Sequence, residues 1–142
     1  MCFFFIQMAD PQFGFFAAVS QLSPEQIEER RQRGLLVRLA PKKITGFADE
    51  TSLYEKAIAA ANRLRPDFVV MCGDMTHDAD DLDQLNELRR ITAQLDDTIP
   101  LYWVAGNHDV GTDPPLRRLP NTDRDLARTT IHSTTKAAIS LC

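Results

Sequence analysis

The sequence predicts an α/β fold in which a mainly parallel sheet is built in the order βαβαβ. Three short apolar runs are spaced along the chain, and two amphipathic helical patterns lie between them. Continuous apolar runs of about five to seven residues are typical of strands that are buried on both faces of a parallel sheet. With 142 residues, the chain has the length of one ordinary domain.

Each predicted strand stops at a residue that either breaks the strand or carries a polar side chain. The runs are residues 3–9 before Asp10, residues 68–72 before Gly73-Asp74, and residues 101–105 before Gly106-Asn107-His108-Asp109. A buried helical segment is the competing interpretation of such runs. Their short length and the glycines that end two of them favour strands.

Two helices are predicted between the strands, at residues 49–64 and 80–96. In the first, Asp49 or Thr51 is placed to act as the N-cap. The second begins with acidic residues and ends with arginines, as the helix dipole favours. The apolar stripes are Leu53, Ala57, Ile58, Ala60, Ala61 and Leu64, and then Leu82, Leu85, Leu88, Ile91 and Leu95. A short surface helix is also predicted at residues 25–32.

Charge and cysteine content argue against several classes of protein. Sixteen Lys and Arg against twenty Asp and Glu give a net charge of −4, so binding to nucleic acid or to a membrane surface is not expected. The three cysteines are far apart and show neither a disulfide framework nor a zinc-binding spacing. The apolar start lacks the basic residues and cleavage site of a signal peptide, so we expect a cytoplasmic protein.

Side chains that can bind metals or transfer protons follow all three predicted strands. Ligands of open parallel sheets bind beyond the carboxyl ends of the strands. Neighbouring strands lie about 4.8 Å apart, so carboxylates and amides there can converge on two ions that share one carboxylate. Gly73 and Gly106 would let the backbone turn sharply toward this site. The candidate residues are Asp10, Gln12, Asp74, Asn107, His108 and Asp109.

In order and context, these residues resemble the calcineurin-like metallophosphoesterases. The resemblance is carried by Asp10 after the first strand, Gly73-Asp74 after the second and the Gly-Asn-His-Asp string at 106–109 after the third. The string Asp-Pro-Gln-Phe-Gly at 10–14 is similar to a subgroup related to a cytosolic serine/threonine phosphatase. The resemblance implies that residues 3–111 form the N-terminal, truncated part of the family's α/β sandwich.

The resemblance also implies an activity, namely metal-dependent hydrolysis of phosphate esters by a water that two divalent ions activate. Asp10 would bind the first metal, Asp74 would bridge both metals, and Asn107 would bind the second. His108 would donate a proton to the leaving oxygen or stabilise the transferring phosphoryl group, and Asp109 would orient its ring. The implied substrate is a phosphoprotein or a small phosphate ester.

The chain departs from the family pattern in two places. Gln12 stands where many members have the histidine of an Asp-x-His motif. Because an amide oxygen is a weak, neutral ligand, Gln12 favours Mn²⁺ or Mg²⁺ and leaves iron and zinc open. The distal histidine ligands of the family, including its Gly-His-x-His motif, do not occur in this sequence. A catalytically inactive fragment is therefore an alternative.

Residues 112–142 are expected to form an irregular tail with little amphipathic pattern. We hypothesise that this tail is read out of frame, because one codon choice for residues 127–142, shifted by two nucleotides, gives an aromatic, β-rich string. The gene sequence decides this point. A non-catalytic α/β module that binds phosphate or nucleotides ranks last, since neither GxGxxG nor GxxxxGK[ST] occurs.

Five further residues have structural explanations that compete with functional ones. His77 is expected at the rim of the site, behind the ligands, and contact with substrate is the less favoured alternative. Cys72 is expected to be a small core residue rather than a nucleophile. Phe13 and the Phe-Phe pair at 15–16 are expected to pack the loop after the first strand, and an aromatic wall for substrate is the alternative.

Overall fold

The structure is a computed structural model, and it describes residues 3–110. The predicted tail at 112–142 lies outside these residues. In chain order the elements are β1 (Phe5–Ala9), α1 (Phe15–Ser20), α2 (Pro24–Gln32), α3 (Ala48–Leu64), β2 (Phe68–Gly73), α4 (Leu82–Thr92), β3 (Leu101–Ala105) and α5 (Asn107–Val110).

The three strands form one parallel sheet in the order β1-β2-β3, which confirms the predicted α/β class. Ala9 pairs with Cys72, and Gly73 pairs with Ala105. All three strands therefore end at the same edge of the sheet, where the predicted polar residues begin.

The core lies between one face of the sheet and the helices α3 and α4. Val69 and Met71 of β2 are fully buried on this face, and Trp103 of β3 lies beside them. The main cluster consists of Phe13, Tyr54, Ile58, Met71, Met75, Leu88, Ile91 and Trp103. Burial of these apolar side chains supplies the driving force that holds the sheet to the helices.

The prediction that the strands are buried on both faces is wrong for the part of the chain that the structure describes. Both crossover helices pack on the same face of the sheet. The other face carries Phe5, Phe68 and Tyr102, whose rings contact one another in a row. On that face Phe5 and Tyr102 are exposed, as is Val104, whose exposed fraction is 52%.

The predicted stripe of α3 is offset from the face that is buried. Glu50, Tyr54, Ile58 and Ala61 are buried, whereas Leu53 is 58% exposed. The buried residues follow one another at intervals of three or four, so they form one face of the helix. Leu53 directly precedes Tyr54 in the sequence and therefore lies beside this face rather than on it.

The predicted caps and ends of the long helices also need correction. The N-cap of α3 is Phe47, without a side-chain hydrogen bond. Thr51 does not cap the helix but donates to Glu87 on α4, at 2.9 Å. Helix α4 begins at Leu82 rather than Asp80, because the carboxylate of Asp81 accepts the N–H groups of the first turn.

Among the short helices, the sequence predicts α2 but not α1 or α5. Helix α2 is confirmed, and Ser23 with Gln26 forms a capping box at its start. Helices α1 and α5 were not predicted, since four to six residues are too few to show a helical period. Within residues 3–110, none of the helices has the length and apolar character needed to span a bilayer.

Candidate metal centre

The loops after β1 and β2 run side by side beyond the ends of the strands. The N–H of Asp10 donates to the carbonyl of Cys72 at 2.9 Å, and the N–H of Gln12 donates to the carbonyl of Asp74 at 3.1 Å. Phe13 and Thr76 then form a further parallel bridge. This continued ladder places Asp10 and Gln12 next to Asp74, as the sequence predicted.

Asp10 and Gln12 both have left-handed backbone conformations, with φ of 49° and 32°. Residues with a Cβ seldom adopt such values, and those that do cluster at functional sites. The ladder to β2 holds the backbone on either side of both residues. This feature could not be predicted from the sequence, because glycine is the usual residue in such a conformation and neither position is a glycine.

Backbone hydrogen bonds link the three strand ends through two carboxylates. The N–H of Asp74 donates to Oδ1 of Asp10 at 3.1 Å, and the N–H of His108 donates to Oδ1 of Asp74 at 2.7 Å. Within residues 3–110, Oδ2 of each carboxylate has no hydrogen-bond partner. Each carboxylate is thus fixed by one oxygen and keeps the other available for a ligand.

Gly73 and Gly106 are required by close approach to these carboxylates. A Cβ on Gly73 would overlap Oδ1 of Asp10, and a Cβ on Gly106 would overlap Oδ1 of Asp74 and lie 2.6 Å from its backbone nitrogen. Gly73 also has a φ of 86°, so the sharp turn predicted there is confirmed. Gly106 has no positive φ, and its role is to make room for Asp74.

The ring of His108 is held by a backbone carbonyl. Its Nδ1 lies 2.7 Å from the carbonyl oxygen of His77. Since a carbonyl only accepts hydrogen bonds, Nδ1 carries the proton in this contact. Nε2 is then the ring atom left to exchange a proton with a substrate. Sequence reasoning missed this contact because the partner is a main-chain group, for which side-chain identity gives no signal.

His77 lies beside His108 at the rim of the site, where the sequence predicted it. The two rings are 4.9 Å apart. The backbone N–H of His77 donates to the carbonyl of Phe13 at 2.9 Å. This contact holds the backbone of His77 so that its carbonyl faces His108. Burial, and next the charge of His108, lower the pKa of His77 from its ordinary value.

Asp109 does not contact the ring of His108, contrary to the expected orienting role. Its Oδ1 accepts from the N–H of Met75 and its Oδ2 accepts from the N–H of Gly106, both at 2.8 Å. Burial raises the pKa of Asp109, and these hydrogen bonds offset part of that effect. Asp109 therefore ties the loop after β3 to the loop after β2.

The donors at this edge suit hard cations. Asp10 and Asp74 offer carboxylate oxygens, and Gln12 and Asn107 offer amide oxygens, which are the ligand types that Mg²⁺ and Mn²⁺ accept. Gln12 is half-buried, and Asn107 is exposed at the start of α5. Residues 3–110 contain no group of three or more His, Cys, Asp or Glu side chains placed to hold a metal ion.

The parallel sheet and its strand-end carboxylates define an α/β protein with a candidate metal centre. The family model of calcineurin-like phosphoesterases matches residues 8–136 of the chain. The chain belongs to the calcineurin-like phosphoesterase family. This confirms the resemblance that the strand-end motifs indicated, and it implies divalent metal ions.

The curated relatives include serine/threonine-protein phosphatase CPPED1 from several animals. The Rattus norvegicus protein is 33% identical over 118 residues, which cover 79% of this chain and 33% of the relative. The Bos taurus protein is 33% identical over 133 residues, which cover 89% of this chain and 36% of the relative. The chain spans about a third of the length of these relatives. No solved structure matches the chain.

Proposed function

We propose that the protein is a metal-dependent phosphoesterase that hydrolyses phosphate esters at a dinuclear site. The hydrogen-bonded connection from Asp10 through Asp74 to His108 carries this proposal, because it joins two candidate ligands to a candidate proton donor. Membership of the calcineurin-like phosphoesterase family supports it.

Asp10 and Gln12 would hold one cation, Asn107 would hold the other, and Asp74 would bridge them. The N–H of Asp74 donates to Asp10, and its Oδ1 accepts from the N–H of His108. These contacts suit a bridging role, since Oδ1 is fixed and Oδ2 is available. We propose Mn²⁺ or Mg²⁺, because the donors are hard oxygens. Two such ions polarise phosphoryl oxygens and lower the pKa of water enough for attack at neutral pH.

His108 would donate a proton from Nε2 to the leaving oxygen. The contact of Nδ1 with the carbonyl of His77 fixes both the ring orientation and the tautomer. An imidazole can accept and release protons near neutral pH, which a general acid requires. Asp109 would position His108 through Gly106 and Met75, because it fixes the backbone before the histidine.

The substrate we propose is a phosphoserine or phosphothreonine protein, and the support is the name of the CPPED1 relatives. A small phosphate ester is the alternative. We also propose a cytoplasmic location, which the free thiol of half-buried Cys72 supports because reducing compartments preserve thiols.

The second candidate is an inactive fragment of such an enzyme. Two observations favour it, namely the absence of a three-ligand group within residues 3–110 and the small share of the relatives that the chain spans. A dinuclear site with few protein ligands binds its ions weakly.

One experiment separates the two candidates. The 142-residue chain is titrated with Mn²⁺ in a calorimeter and assayed with p-nitrophenyl phosphate, alongside Asp74→Ala and His108→Ala. The phosphoesterase predicts Mn²⁺-dependent release of nitrophenol that both substitutions abolish. Exposed Asp97, which precedes β3 at the other edge of the sheet, provides the control Asp97→Ala. Turnover that survives both test substitutions contradicts the proposal, and absent Mn²⁺ binding together with absent turnover supports the fragment.

A further inference from the structure

The loop that joins α2 to α3, residues 33–47, exposes three leucines within a short stretch of chain. Leu36 is fully exposed, and Leu35 and Leu39 are 53% and 60% exposed. Single exposed apolar side chains are ordinary on a protein surface, whereas a group of large ones marks a site of contact with another surface. These three leucines therefore indicate that the α2–α3 loop has a binding partner.

Hydrogen bonds attach the α2–α3 loop to the helices that precede it. Near its start, Nε of Arg31 in α2 donates to the carbonyl of Val37 at 3.3 Å. Near its end, the N–H of Ile44 donates to Oγ of Ser20 in α1 at 2.8 Å. Val37 and Ile44 are half-buried. The loop is thus held at these two points, and its leucines are left on the outside.

The same part of the chain is strongly basic. Residues 30–43 contain six Lys and Arg and no Asp or Glu. The net charge of −4, from which we expect no binding to a membrane surface, averages over this stretch and does not describe it. A cluster of basic residues interspersed with exposed apolar ones is typical of segments that bind anionic surfaces.

Half of these basic side chains have no acidic neighbour to neutralise them. Arg31 and Arg33 each lie within ion-pair distance of a glutamate in α2. By contrast, Arg38, Lys42 and Lys43 are exposed and form no ion pair within residues 3–110. Their charges are therefore available to a partner, and the candidate metal centre uses none of them.

We propose that the α2–α3 loop binds the anionic surface of a membrane. The leucines would enter the boundary between headgroups and acyl chains, and the basic side chains would contact the negative headgroups. Apolar insertion and charge attraction act together in such binding, and the loop offers both. Anionic lipids are concentrated in the cytoplasmic leaflet, which agrees with the cytoplasmic location proposed above.

Charge favours the membrane over other coverings of the leucines. A second copy of the chain would bring two basic loops together in a symmetric contact, where like charges repel. Residues 111–142 contain five basic and three acidic residues, so their net positive charge opposes packing on the loop. The backbone of a nucleic acid matches the charge, but it offers phosphates rather than an apolar surface to the leucines.

The test is flotation of the 142-residue chain, without metal, with two kinds of vesicle. One kind is phosphatidylcholine alone, and the other is phosphatidylcholine and phosphatidylserine in equal parts. The chain should float with the mixed vesicles, and less so as the salt concentration rises from about 0.1 M to about 1 M. Equal binding to the neutral vesicles, or binding to neither kind, overturns the proposal.

The double variant Lys42→Gln with Lys43→Gln tests the charge. It should weaken binding to the mixed vesicles about 25-fold, because each basic residue near an anionic surface contributes about fivefold. The matched control is Lys56→Gln with Arg63→Gln, which removes two exposed positive charges from α3. Unchanged binding in the loop variant, or an equal loss in the control, overturns the proposal.

Leu36→Ser tests the apolar contact. Loss of a leucine side chain that enters the acyl boundary should weaken binding to the mixed vesicles about tenfold. Leu82→Ser is the matched control, because Leu82 is 65% exposed at the start of α4, outside the loop. Unchanged binding in Leu36→Ser overturns the proposal, since charge alone would then explain the binding.

Leu36→Trp reports insertion directly through its fluorescence. Its emission should shift to shorter wavelength with the mixed vesicles and not with the neutral ones. The only natural tryptophan, Trp103, lies in the core, so the parent chain supplies the background. An emission that does not change with the mixed vesicles overturns the proposal.

Two further measurements identify the other possible occupants. Sedimentation velocity of the parent chain and Leu36→Ser assigns the leucines to a second copy if only the parent is dimeric and neither binds vesicles. Binding of polyglutamate in the absence of vesicle binding assigns the loop to an acidic polypeptide. Either result overturns the membrane proposal. None of these measurements needs metal or turnover, so their failure is distinct from failure of the phosphoesterase proposal.

Discussion

The backbone N–H of His108 donates to Oδ1 of Asp74 at 2.7 Å, so the loop after β3 is fastened directly to the residue that follows β2. The side chain of His108 takes no part in this contact. It is fixed separately, through Nδ1, to the carbonyl of His77. The local fold therefore depends on the carboxylate of Asp74, while the chemistry proposed for His108 depends on its ring.

This separation predicts different outcomes for the two residues. His108→Ala should leave the melting temperature within about 3 °C, because the backbone contact to Asp74 remains. Asp74→Ala should lower it by about 4–8 °C, since the N–H of His108 loses its acceptor. Thermal unfolding followed by circular dichroism measures both. Equal shifts for the two variants would mean that the histidine ring, and not its backbone, holds the loop.

The neutral form of His108 should carry its proton on Nδ1. The reason is that its partner, the carbonyl of His77, can only accept. Long-range ¹H–¹⁵N correlation spectra of the chain distinguish the two ring nitrogens directly. Finding the proton on Nε2 of neutral His108 would contradict both the contact and the proposed proton-donating atom.

Three glycine-to-alanine substitutions should rank in a fixed order of destabilisation. Gly34→Ala meets no atom within 4 Å but has a φ of 82°, so it should cost about 1 kcal/mol. Gly106→Ala overlaps the Asp74 carboxylate and should cost about 2–3 kcal/mol. Gly73→Ala combines a positive φ with overlap of Asp10 and should cost the most.

Urea unfolding measures these three changes in the free energy of unfolding. Gly34→Ala is the matched control, because it isolates the cost of the left-handed conformation from the cost of overlap. A Gly106→Ala variant as stable as the parent chain would show that Asp74 is free to move away from the loop after β3.

The sequence predicted the edge of the sheet where the site lies, but not the backbone contacts that shape it. Apolar runs followed by Asp10, Asp74 and Asn107 were sufficient to predict this edge. Parallel strands end on the same side of a sheet, and the pairing of neighbouring strands brings those ends together. The carbonyl of His77 and the left-handed conformation of Gln12 left no mark in the sequence. Main-chain groups are the same at every position, so side-chain patterns do not report them.

The burial of Glu50 was not predicted, for a different reason. The predicted stripe of α3 runs through Leu53 and does not include Glu50, which is buried. Binary patterning assigns polar residues to the exposed face of a helix. It fails where a buried polar side chain forms a hydrogen bond with a partner in another element. Here that partner is the N–H of Phe16 in α1, a helix that the sequence did not predict.

Asp96 should make the stability of the chain sensitive to acid. Hydrogen bonds from Thr98, and then the contact with Arg65, lower the pKa of Asp96 to about 2. An unfolded aspartate has a pKa of about 3.9. The carboxylate thus favours the folded state above the unfolded pKa, and this contribution is lost as the pH falls from about 4 to 2.

Asp96→Asn removes that contribution and its pH dependence. Between pH 7 and pH 2, the parent chain should lose more free energy of unfolding than Asp96→Asn does, and the difference should appear below about pH 4. Asp97→Asn, with an exposed carboxylate one position away, should follow the parent. Urea unfolding at several pH values provides the measurement. If Asp96→Asn follows the parent as closely as Asp97→Asn does, then Thr98 and Arg65 do not stabilise the Asp96 carboxylate in the folded chain.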